Sequence, residues 1–72
     1  MKITYDKEID AMYLQFQEGT FSSNKEVADG VILDLGKGNI ILGIEILSAS
    51  KRIKPKNIGY LNFQFPMKAS AV

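Results

Sequence analysis

Asp6, Glu8 and Asp10 alternate along the chain, the spacing with which a calcium loop presents its first acidic ligands. Such a loop also needs a glycine where this chain has Ala11, and a bidentate glutamate where it has Gln17. The triplet therefore reads as a solvated acidic turn, and no metal ligand is assigned. Asp34 and Glu45 are the next carboxylates that could work together, with Tyr13 as a neighbouring phenol. Paired carboxylates perform acid–base chemistry when burial raises the pKa of one of them. The sequence supplies no obvious nucleophile, oxyanion hole or companion base beside them. No catalytic residue is assigned, and the pair reads as the polar outer face of a sheet, which discourages wrong packing. Glu45 is the less ordinary member because it stands among Ile44, Ile46 and Leu47. A Lys or Arg partner across a subunit interface is the expected reason for it.

Lys51, Arg52, Lys54 and Lys56 form a basic patch. Such a patch contacts phosphates or an acidic protein partner. Without interleaved aromatics or a recognition-helix pattern it does not point to nucleic acid. It reads as the solvated end of a short helix, where positive charge suits the dipole. Gly36, Gly38 and Gly43 make no G-x-G-x-x-G or P-loop pattern leading into a helix, so they read as turn and strand glycines.

The composition narrows the chemistry further. The chain has no cysteine and no histidine, which removes disulfides, thiolate zinc sites, the commonest metal ligand and the commonest neutral-pH base. No cofactor is implied. A content of 46% hydrophobic and 24% charged residues is that of an ordinary globular domain rather than a disordered one. The formal net charge of +1 gives no steering toward nucleic acid or membrane. No apolar run approaches the roughly 20 residues that cross a bilayer. The opening Met1-Lys2-Ile3-Thr4-Tyr5-Asp6 has the look of a strand, not of a signal-peptide core, so a cytoplasmic location is expected. A chain of 72 residues has a small core and little stability to spare. Chains of this size gain stability from disulfides, a metal or self-association. Only self-association fits here, and a homodimer is expected.

Strands must position these residues. Ile3 and Tyr5 share a face, as do Met12, Leu14 and Phe16, because side chains alternate along a strand. Pairing Tyr5 with Met12 and Ile3 with Leu14 gathers all five on one face, and agreement of this kind sets register. Residues 17–24 form a polar connection, and residues 25–28 begin a third strand. Asp29-Gly30 suggests a bulge or kink inside it. Val31–Leu35 and Ile40–Leu47 form a hairpin. If Lys37-Gly38 is a two-residue loop, Leu35 faces Ile40, Leu33 faces Leu42 and Val31 faces Ile44. A four-residue loop closing the same register is the alternative. Ile32, Asp34, Ile41, Gly43 and Glu45 then share the other face. Ser48 is a plausible N-cap for one or two helical turns over residues 49–53, and Pro55 bars a long continuation.

Three ordered motifs carry a family resemblance. They are Tyr5-Asp6-x-Glu8-x-Asp10-Ala11-Met12-Tyr13-Leu14, Ser23-x-x-Glu26-Val27-x-Asp29-Gly30-Val31-Ile32-Leu33-Asp34, and Gly43-Ile44-Glu45-Ile46-Leu47-x-Ala49-Ser50. Together they resemble the DUF2283 family, small prokaryotic proteins of unknown function, over roughly residues 1 to 53. The resemblance implies a β-meander followed by a short helix. It brings no catalytic residues, and it hints at operons of the toxin–antitoxin kind. The chain departs from the family where Gly36-Lys37-Gly38-Asn39 replaces an acidic turn of the Asp-x-x-Gly sort.

Beyond residue 53 only periodicity speaks. Leu61, Phe63 and Phe65 alternate strictly and stop at Pro66, which predicts a C-terminal strand over 57–66 followed by a flexible tail over 67–72. This strand either folds back over its own sheet or adds to another subunit. The expected fold is α+β and mainly β: one domain over residues 1–72, a small antiparallel meander of four to five strands with one short helix after the fourth. The expected function is a small protein-interaction module acting as a homo-oligomer through Glu45, Asp34, Leu61, Phe63 and Phe65. The alternatives are an antitoxin-like or regulatory partner of a small prokaryotic toxin, and a ligand-binding protein or enzyme using carboxylates on the sheet face.

Overall fold

The apolar alternation at the start of the chain folds as a hairpin of β1 (Lys2–Asp6) and β2 (Ala11–Gln15), in a computed structural model that describes residues 1–60. Tyr5 pairs with Met12 and Ile3 with Leu14, the register expected from the residues. Asp6 closes the turn by accepting the Glu8 N–H at 3.0 Å, an Asx turn. Three more strands follow: β3 (Phe21–Ala28), β4 (Val31–Gly36) and β5 (Ile41–Leu47). All five join one antiparallel sheet in the order β1-β2-β5-β4-β3. The fold is mainly β, as expected. It is not a simple meander, because β5 inserts between β2 and β4.

Asp29-Gly30 is a turn and not a bulge within one strand. Gly30 takes φ 78°, open to glycine without strain, and its N–H donates to Glu26 Oε2 at 2.9 Å. The strand over 41–47 is consequently fifth in the chain. Residues 21–24, expected in the polar connection, belong to β3. Every residue of β3 is exposed, so this edge strand has no buried face to impose alternation.

The β4–β5 register differs by two residues from the two-residue-loop reading. Leu33 pairs with Ile44 and Val31 with Ile46, and a bulge between Asp34 and Leu35 sets Leu35 against Ile41. A type I′ loop at Lys37-Gly38 would have placed Lys37 at positive φ. Positive φ falls instead on Gly38 (77°) and Asn39 (64°), the two residue types that tolerate it best. Over residues 31–34 and 43–46 the slip of two leaves the side chains on their predicted faces, while the bulge sets Leu35 against Ile41 and not Ile40. Ile3, Tyr5, Met12, Leu14, Ile44, Ile46, Val31 and Leu33 therefore share one apolar face.

The sheet is followed by α1 (Ala49–Arg52) and α2 (Pro55–Ile58). Ser48 precedes α1 in a left-handed conformation (φ 51°, ψ 47°) and makes no side-chain cap bond, contrary to its expected capping role. Pro55 opens α2, where its missing N–H costs nothing. Residues 57 and 58 are thus helical, not the start of a strand. Leu61, Phe63 and Phe65, with the expected tail over 67–72, lie outside the described residues. Among the described residues no helix is long and apolar enough to cross a membrane.

Burial is uneven. Met12 and Leu42 are each 6% exposed and Ala49 is fully buried, but Ile3 and Tyr5 remain 38% and 37% exposed. The other members of the apolar face, apart from Met12, are half-buried.

Candidate functional site

On the face opposite the apolar one, cross-strand pairing sets Tyr13 beside Glu45, and Glu45 beside Ile32. The neighbouring row sets Gly43 beside Asp34. Tyr13 therefore reaches its diagonal neighbour Asp34 only by crossing Gly43. The geometry shows why that position is glycine. A Cβ on Gly43 would run into the Tyr13 hydroxyl and lie 2.6 Å from both Tyr13 Cζ and the Leu14 carbonyl oxygen. The missing side chain lets the phenol lie across the strand, as glycine in a strand often does where another group approaches the backbone closely.

This arrangement brings together Tyr13, Asp34 and Glu45. Burial raises the Tyr13 phenol above its ordinary value of 10.0, and the Asp34 carboxylate raises it further, as a nearby charge and as a hydrogen-bond acceptor; Glu45 adds a smaller push. The phenol is protonated at neutral pH, as its ordinary value already ensures. It is a hydrogen-bond donor there, not a base or a phenolate nucleophile. Within the chain, Glu45 has Tyr13 and Ile32 as its strand neighbours. A shallow depression of about 700 Å³ beside the β1–β2 hairpin takes in Thr4, Tyr5, Asp6, Met12, Tyr13 and Glu45, but not Asp34. The two carboxylates thus do not converge on one concavity. Among the described residues no three acidic groups gather to hold a cation.

Asp10 carries a second cluster. It sits at φ 54° between β1 and β2, a conformation Asp tolerates. Its Oδ1 accepts the Tyr5 hydroxyl at 2.7 Å and the Ser50 N–H at 3.0 Å, while its Oδ2 accepts the Ser50 hydroxyl at 2.8 Å. Its carbonyl oxygen accepts the Ala49 N–H at 2.9 Å. Asp10 thus satisfies the first two N–H groups of α1, the work usually done by a local N-cap. The Tyr5 bond, then those from Ser50, hold the Asp10 carboxyl below its ordinary range. The same bond raises the Tyr5 phenol. In the sequence Asp10 stands only as part of an acidic turn, since the residue it serves is 40 positions away.

The basic patch is exposed. Arg52, however, donates to the Asp29 carbonyl oxygen and ties α1 to the β3–β4 turn. Lys51 and Arg52 border a depression of about 640 Å³ with Asp29, Gly30, Leu47 and Ser48, while Lys54 and Lys56 stand outside it. Four lysines and arginines in sequence are therefore not one convergent anion site. Leu61, Phe63 and Phe65, the remaining expected interaction residues, lie outside the described residues.

A family model described as "Protein of unknown function (DUF2283)" matches residues 2–50. No curated protein and no solved structure matches the chain.

Proposed function

The chain belongs to the DUF2283 family, and we propose that it is a small protein-interaction module that acts as a homo-oligomer in the cytoplasm of a prokaryotic cell. One observation carries this reading. The sheet presents an apolar face that the described residues leave half open, with Ile3 and Tyr5 more than a third exposed. Open apolar sheet surface of this kind marks a binding site or an aggregation hazard. In so small a chain, association is a source of the stability that a small core lacks. Leu61, Phe63 and Phe65 add apolar surface to the same need.

The Tyr13–Asp34–Glu45 group supports this reading better than an enzymatic one. Its phenol is held as a donor, and its carboxylates do not share a concavity. Sedimentation of the full chain over rising concentration tests the proposal. A mass that climbs from one chain to a defined multiple is the expected result. A single-chain mass at every concentration would remove the reading.

A further inference from the structure

We propose that the second copy joins through β1, which pairs antiparallel with the other copy's β1 about Thr4. This rests on the reading that the chain self-associates, and it names the surface and the register.

Among the described residues the sheet has two open edges, β1 and β3. They differ in kind. β3 carries two register shifts, between Phe21 and Ser23 and between Glu26 and Ala28. Irregularities of that sort twist an edge away from further pairing, and the charged Lys25 and Glu26 stand between them. β1 has no such irregularity, and its two charged residues, Lys2 and Asp6, stand at its ends. Its five residues pair one to one with β2 without interruption, all five are exposed, and none is Gly or Pro. It is the edge that invites another strand.

The sequence of β1 is complementary to itself. Run antiparallel about Thr4, Lys2 of one copy faces Asp6 of the other, Ile3 faces Tyr5, and Thr4 faces Thr4. Opposite charges, an aliphatic–aromatic pair and a Thr–Thr pair are the cross-strand combinations that stabilise a sheet. A slip of one residue sets apolar side chains against the wrong face. A slip of two leaves Lys2 and Asp6 without each other. Only the register about Thr4 matches every position. The pairing is isologous, so the Lys2–Asp6 contact occurs twice.

The faces also stay in phase. Ile3 and Tyr5 lie on the apolar face, and Lys2, Thr4 and Asp6 on the other. The row Leu33–Ile44–Leu14–Ile3 of one copy then runs on into Tyr5 of the next. Joining the edges fuses two apolar faces into one continuous surface. Tyr5 is already fixed through its hydroxyl to Asp10, so its ring needs little further ordering on association.

Charge exchange in the full chain tests this register. Lys2→Glu places two acids opposite each other at both ends of the joint, and Asp6→Lys places two bases there. Each variant alone is expected to raise the dimer dissociation constant about tenfold. Mixed in equal amounts they restore both ion pairs, and the mixed dimer regains the parent affinity. Asp6 also closes the hairpin turn. Lys2→Glu does not touch that bond, and melting curves of each variant show whether the fold is kept. A dimer whose dissociation constant is unmoved by Lys2→Glu, with no gain on mixing, overturns the β1 joint and leaves self-association standing. A parent chain that stays monomeric overturns both.

Discussion

The Asp10 carboxylate holds Ser50 through both its backbone N–H and its hydroxyl, across 40 positions of the chain. The turn between β1 and β2 therefore caps the helix that follows β5. Asp10→Asn keeps a residue that tolerates positive φ but removes the charge and one acceptor oxygen. It is expected to lower Tm by a few degrees at neutral pH. The acid limb gives the sign. Tyr5 and Ser50 lower the folded-state pKa of Asp10 below the ordinary 3.8. That stabilisation is present above the ordinary value and fades as pH falls through the folded one. Parent and Asp10→Asn melting temperatures should therefore converge below about pH 4. A gap that persists at low pH would show that charge on Asp10 is not what holds Ser50.

Gly43 should resist any side chain. Gly43→Ala sets a Cβ against the Tyr13 ring and the Leu14 carbonyl oxygen. The ring can swing away, but the carbonyl belongs to the β2–β5 pairing. The expected cost is about 2 kcal/mol in chemical denaturation. Adding Tyr13→Ser should recover only part of it, because the backbone contact remains. Full recovery would mean that the phenol alone excludes the methyl group.

The phenol of Tyr13 reports on the carboxylates around it. In a Tyr5→Phe, Tyr60→Phe background, Tyr13 alone titrates by phenolate absorbance. Its midpoint should lie above 10.0, and Asp34→Asn should move it downward. Some elevation should persist, since burial is the largest cause and Glu45 remains. Because the folded-state pKa is raised, the associated stability is present below the ordinary value and lost as pH climbs through the folded one. An Asp34→Asn midpoint equal to the parent's would separate Asp34 from the phenol.

How much of this could be read in the residues depended on distance along the chain. The β1–β2 register was legible because two clean alternations flank a short polar turn, which sets Ile3 directly opposite Leu14 and Tyr5 opposite Met12. The β4–β5 register was not, because Gly36-Lys37-Gly38-Asn39 offers two ways to place positive φ. The face of Asp34 and Glu45 survived that ambiguity, since a slip of two preserves it. β3 gave little signal because an edge strand exposed throughout carries no apolar period. The role of Asp10 was hidden for a different reason. An acid in a turn looks the same whether it is solvated or caps a helix far along the chain. Gly43 did leave a trace, as a glycine within an apolar strand, but nothing pointed to Tyr13 as the group lying over it.

The C-terminal residues bear on what covers the apolar face. Burying Leu61, Phe63 and Phe65 would contribute on the order of 5–8 kcal/mol before entropy costs. That is comparable to the whole stability of a small domain. Ile3 and Tyr5, by contrast, stay more than a third exposed among the described residues, so the face has room for such a contribution. Removing residues 61–72 is therefore expected to lower Tm substantially. The mass of the truncated chain then distinguishes two arrangements. If the segment covers its own sheet, the shortened chain melts lower but still dimerises, and Lys2→Glu still weakens the dimer. If it is exchanged between copies, the same truncation also reduces the mass to that of one chain. Unchanged melting together with unchanged mass would assign the segment no part in either fold or assembly.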